Sequence, residues 1–125
     1  MGSEGCEMKL VLFIALLAGC AAAQGVINRA PPKTFRQANP FAGEDRAQRA
    51  GAKLFARECA QCHGAAGSGG KYAPTLAQLE VSQAPPGALF WVLKNGSLWR
   101  GMPSFAHLPE SQRWQIVAYL QRRQQ

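Results

Sequence analysis

The sequence predicts an all-α protein, on three observations. Ala47, Ala50, Gly51, Leu54 and Phe55 recur at helical spacing through the middle of the chain. A second stretch, opening on Pro109 and Glu110, carries Trp114, Val117 and Ala118 on one stripe and Ile116, Tyr119 and Leu120 on another. No hairpin pattern and no strand–helix–strand spacing occurs between or beside them.

Each element follows in chain order. Leu10 to Ala18 is a nine-residue apolar run, too short for a permanent span of about 20 residues but suited to the centre of a secretory leader. Glu4 and Glu7 make its approach acidic, whereas a start at Met8 would put Lys9 where a leader wants positive charge. Met1 and Met8 are therefore both readable as the translation start. Leu17-Ala18-Gly19-Cys20 matches a lipobox, which would lipidate Cys20 and make it the first residue; Ala21-x-Ala23 offers ordinary cleavage after Ala23 instead. Both routes lead outside the cytoplasmic membrane, to a periplasmic or lipid-anchored protein. Residues 1–20 are read as the signal peptide, and 21–44 as a flexible linker. Pro31-Pro32, Asn39-Pro40 and Gly43 interrupt any helix there, and apolar periodicity is missing. The domain is expected over 45–125.

Glu44 and Asp45 suit a helix N-terminus. Gly51 within that helix costs up to about 1 kcal/mol relative to alanine, which points to close approach by another helix. Arg46, Arg49, Lys53 and Arg57 lie opposite the apolar face and read as solvated. Residues 64–74 form a glycine-rich loop ending at Pro74. Pro85-Pro86 and Asn95-Gly96 bracket the run Leu89-Phe90-Trp91-Val92-Leu93 and favour helix over strand. A loop over 97–108 then leads to the terminal helix, where Arg122 and Arg123 suit the C-terminal end.

The chemistry is concentrated in Cys59-Ala60-Gln61-Cys62-His63. Two thiols at this spacing can form thioethers to the two vinyl groups of a haem, and the adjacent histidine then reaches one axial position of the iron. The rivals fit less well. A thioredoxin-like C-x-x-C wants a βαβ setting, which is missing. Structural zinc wants four ligands, and beyond this motif only His107 remains, with no further cysteine downstream. Chance occurrence of C-x-x-C-H in a chain this short is well under about one in a hundred. Cys6 and Cys20 fall in the leader, so four cysteines do not imply two disulfides. Downstream of the leader, Met102 is the only methionine and sits in the turn-rich Arg100-Gly101-Met102-Pro103. Its thioether suits a second axial ligand that stabilises reduced iron; His107 is the alternative.

With those residues in view, the chain from about Asp45 to Gln121 resembles the class I c-type cytochromes of bacteria. The matching features are Gly51 and Phe55 running into CAQCHG, Pro74-Thr75-Leu76, GMPSF around Met102, and VAYL in the last helix. The resemblance implies a cytochrome c fold, with three to four helices wrapped around one covalently bound haem c and its iron. It implies that the first and last helices cross, with Gly51 and Phe55 near Tyr119. It implies that the Pro74 carbonyl accepts a hydrogen bond from His63 and so orients that ligand. Tyr72, Trp99 and Arg100 are candidates for contacts to the haem edge or propionates, and Phe90, Trp91, Leu93, Leu98 and Phe105 for the apolar lining.

The function expected is single-electron transfer by an exported carrier or by the haem subunit of a dehydrogenase or oxidase complex, not catalysis. A peroxidase-like enzyme or ligand sensor would need Met102 absent from the iron or easily displaced, and no distal acid/base pair supports peroxide cleavage. After Cys20 there are 13 Lys/Arg and 5 Asp/Glu, a net charge of +8. That charge favours redox partners with acidic surfaces, or anionic lipid if Cys20 is a tether. No nucleic-acid motif is present, and a monomer is expected. A domain of about 80 residues is marginal on burial alone, and a covalent cofactor in its interior would relieve that shortage.

Overall fold

The computed structural model describes residues 25–70, 73, 75, 76 and 79–122. The leader, Cys6, Cys20, Tyr72 and Pro74 lie outside the described residues. Five α-helices lie wholly among the described residues: α1 (Asp45–Glu58), α2 (Ala60–His63), α3 (Leu79–Ser82), α4 (Pro86–Asn95) and α5 (Glu110–Arg122). Short 3-10 turns occur at Pro32–Arg36 and Leu98–Arg100. There is no strand among the described residues, only an isolated antiparallel bridge between Ser97 and Met102. The all-α expectation holds. Three of the helices are the long ones read from the sequence, α1 and α5 from periodicity and α4 from its bracketing prolines and glycine; α2 and α3 are single turns, too short to show a period.

The frame is the crossing of α1 and α5. Helix α1 buries Ala47, Gly51, Leu54 and Phe55 and leaves Arg46, Arg49, Lys53 and Arg57 exposed. At the crossing the backbones nearly touch. A Cβ built on Gly51 would lie 1.9 Å from the carbonyl oxygen of Gln115 and 2.9 Å from Tyr119 Cβ. Only glycine permits this approach, and the helix tolerates its poor propensity in return for that contact. One turn further on, the Phe55 and Tyr119 rings meet at 5.4 Å, tilted at 52°.

Helix α5 is buried on two sides, as its double apolar stripe predicts. Ile116 and Val117 are fully buried, and Trp114 stacks on Phe90 of α4 with centroids 4.0 Å apart. The pairing of Phe90 with Trp114 corrects the expectation that Phe90 lines the cofactor site. Arg113, also buried, runs inward and donates to the carbonyls of Ala106 (3.2 Å) and Leu108, with its guanidinium 5.1 Å from the Phe90 ring centre. It thereby gives partners to carbonyls of the loop entering α5, which would otherwise be costly to desolvate.

The flexible linker was expected over 21–44; residues 21–24 of it lie outside the described residues, and over 25–44 the chain is instead anchored to the core. Ile27 and Ala30 are buried in the main core. Asn39 is buried too. Its side-chain amide donates to the Trp114 carbonyl at 3.0 Å, and its side-chain oxygen accepts from the Phe41 amide at 2.9 Å. The turn at Pro32–Arg36 packs onto α4 so closely that a Cβ on Gly87 would lie 2.0 Å from the Thr34 carbonyl oxygen. Prolines break helical periodicity here without preventing packing, since a strap held by scattered anchors leaves no regular signature.

Candidate haem site

Helix α1 ends at Cys59, whose amide donates to the Phe55 carbonyl at 2.9 Å. Cys59 then caps the single turn of α2, and the His63 amide donates back to the Cys59 carbonyl at 3.0 Å. A three-residue separation on a helical turn brings Cys59 and Cys62 to one side. Their environments differ: Cys59 is buried and Cys62 exposed. Burial first, then the nearby charge of Glu58 and the presence of Cys62, push the Cys59 thiol up to about 11. A neutral sulfur therefore suits that position, and a thioether is neutral at every pH.

Gly64, at φ +80°, stops the turn and sends the chain into a loop that closes on itself. In that loop the Gly69 amide donates to the His63 carbonyl at 2.8 Å, and the Leu76 amide to the Gly67 carbonyl at 2.7 Å. Pro74, expected to orient His63, lies outside the described residues.

Met102 is held on the other arm. Ser97 and Met102 exchange two backbone hydrogen bonds, at 2.9 and 3.1 Å, with the Leu98–Arg100 turn and left-handed Gly101 between them. The Phe105 amide donates to the Leu93 carbonyl at 2.8 Å and ties the loop back to α4. Gly96 makes the fit possible. It sits at φ +68°, and a Cβ there would lie 2.6 Å from Pro103 C and 2.7 Å from the Met102 carbonyl oxygen. Gly96→Ala is expected to force this loop away from α4 and lower stability by about 1–3 kcal/mol. Chemical denaturation would measure it, and an unchanged midpoint would refute the packing argument.

These pieces converge on one cavity of about 910 Å³. Cys59, Cys62, His63 and Met102 all contribute to its wall. The rest is mainly apolar, with Leu93 and Phe105 as expected, and with Phe55, Val81, Leu89, Val92, Ile116 and Leu120 from the helices. Val26 and Ile27 contribute as well. Sequence reasoning missed them, because an isolated apolar pair in a proline-broken stretch has no period to reveal it. Of the other residues expected in the lining, Trp91 is half-buried outside the wall, and Leu98 is 76% exposed. Trp99 is also turned outward, whereas Arg100 reaches the wall. His107 is exposed and not part of the wall, whereas Met102 lines it.

The residues present fit a haem. The wall is mainly apolar, as contact with a porphyrin requires, and Cys59, Cys62 and His63 of the C-x-x-C-H motif all line it. A polar end is provided too: Ser97 lines the cavity with its hydroxyl oxygen buried and without a hydrogen-bond partner, beside Arg100. An orphaned buried hydroxyl is costly unless something accepts or donates there, and a propionate meets that need.

A helical shell closed by the crossing of its first and last long helices, with a C-x-x-C-H motif opening into an apolar cavity, defines a c-type cytochrome domain. The chain belongs to the family described as cytochrome c oxidase, cbb3-type, subunit III, whose model matches residues 46–120. No curated protein and no solved structure gives a significant match. Membership makes this an electron-transfer haem protein containing haem c with its iron.

Proposed function

We propose that the chain carries one haem c, joined by thioethers to Cys59 and Cys62 and ligated axially by His63 and Met102, and that it passes single electrons as an exported carrier. The observation that supports this most directly is the convergence of all four side chains, separated by up to 43 positions in the chain, on one apolar cavity. Bound there, haem c supplies the one-electron chemistry. The protein's residues do the rest. The two sulfurs fix the orientation of the group, His63 and Met102 close its coordination, and the apolar wall excludes water. Pro74 is assigned the role of orienting His63 through its carbonyl. With both axial positions filled from the chain, the site is built for electron exchange and not for catalysis.

Export is supported by the apolar run of the leader and the lipobox at Cys20. Among the described residues no helix is long and apolar enough to cross a membrane. A single copy contains every proposed ligand, which agrees with a monomer. The net charge of +8 after Cys20 favours redox partners with acidic surfaces, whether free proteins or other subunits of an oxidase or dehydrogenase complex.

Visible spectroscopy of the haem-loaded protein tests the ligation. The oxidised form is expected to show the far-red sulfur–iron band, which Met102→Ala abolishes. The reduced parent is expected to bind carbon monoxide slowly and the variant rapidly. Rapid binding by the parent would overturn the closed site in favour of a sensor or peroxidase-like protein.

A further inference from the structure

Three large apolar side chains are exposed among the described residues, and two of them, Leu98 (76%) and Trp99 (60%), are adjacent at the tip of the Met102 loop. The tip is rigid. The Arg100 amide donates to Ser97 and the Gly101 amide to Leu98, at 2.8 and 2.9 Å, within the closed Ser97–Met102 bridge. Two guanidiniums flank the indole: Arg29 lies 4.5 Å and Arg100 4.4 Å from the ring centre. A leucine and a tryptophan projecting between two arginines combine an apolar insert with cationic anchors, the side-chain set of a membrane interface.

The course of the chain into this patch argues what covers it. Gly25, the first described residue, adjoins it; a Cβ built there would lie 3.8 Å from Arg100 Nη2. Cys20 precedes Gly25 by five positions, and five residues span at most about 18 Å even when fully extended. A lipid on Cys20 would therefore keep the bilayer within reach of the side of the domain on which Gly25 and this face lie.

We infer that Leu98 and Trp99, with Arg29 and Arg100, form a membrane-contact face that seats the domain on an anionic lipid surface beside its own tether. The face belongs to the same export reading that places a lipid on Cys20, and the two can be tested apart. Arg100 also lines the haem cavity, so this seating would place one edge of the site near the membrane surface, where a membrane-embedded redox partner can reach it.

The test uses haem-loaded mature protein with Cys20→Ser, so that no lipid masks the face, sedimented with vesicles of mixed phosphatidylcholine and phosphatidylglycerol or of phosphatidylcholine alone. Binding to the anionic vesicles is expected to weaken with salt and to drop by about tenfold or more in Leu98→Ser/Trp99→Ala, whose visible spectrum stays that of the parent. Arg46→Gln/Arg49→Gln on exposed α1 is expected to cause a much smaller loss. No binding by the parent, or equal binding by the Leu98/Trp99 variant, would overturn the face. So would loss of binding to an acidic redox protein in that variant with vesicle binding intact, since the patch would then be a protein-docking site. The mass of the native N-terminal peptide reads the tether separately; an unmodified Cys20 overturns the tether and leaves the vesicle result to decide the face.

Discussion

Gly51→Ala is expected to destabilise the domain by about 3 kcal/mol, although helix propensity alone predicts a gain of about 1 kcal/mol. The sign is decided at the crossing with α5. The new methyl would sit 1.9 Å from the Gln115 carbonyl oxygen and 2.6 Å from its carbon, both main-chain atoms that cannot rotate away. The helices must separate, which loosens the packing around Phe55, Ile116 and Val117, the most deeply buried large side chains. For a domain of this size the thermal midpoint should drop by roughly 15 °C. Gly51→Leu should prevent stable folding altogether. Circular dichroism melts of the haem-loaded protein would measure both, and a midpoint for Gly51→Ala at or above that of the parent would show that the two helices do not pack as described.

Removing both thiols has the largest expected effect on the cofactor. Cys59→Ala/Cys62→Ala should leave a protein from which acidified acetone extracts all the haem, whereas the parent should retain it through denaturation. Each single variant should keep haem through one thioether. The environments of the two sulfurs predict an asymmetry in packing. Cys59 is part of the buried core beneath α1, so Cys59→Ala should also lower stability, while exposed Cys62→Ala should cost little beyond the lost bond. Haem that stayed bound in the double variant after extraction would refute covalent attachment at these residues.

Much of the fold was legible because it is periodic. The apolar faces of α1 and α5 repeat at helical spacing, prolines and glycines bracket α4, and a glycine inside α1 signals a close neighbour. The C-x-x-C-H motif was legible because its residues are contiguous. The lining was read less well. Phe90 and Trp91 belong to the same apolar run as Leu93, and Leu98 to the same loop as Phe105, and hydrophobicity alone cannot say which of them faces the cavity. Phe90 is taken by Trp114, and Leu98 is carried outward by the 3-10 turn that places Met102. Residues 25–44 show the converse. Their anchors are single residues: Ile27 and Ala30 pack into the core, and Asn39 bonds the distant Trp114 carbonyl.

The sequence by itself therefore determined the helical class, and it contains the C-x-x-C-H motif at Cys59, Cys62 and His63 and the one methionine downstream of the leader, Met102, on which the proposed haem site rests. These depend on residue type and local spacing, which the linear chain carries in full. Only the tertiary structure decided that Met102 and the attachment motif share one cavity, that His107 stands outside it, that Val26 and Ile27 help to wall it, and that Trp99 faces outward beside Gly25. Those outcomes depend on long-range packing, and above all on how closely α1 and α5 can cross at Gly51.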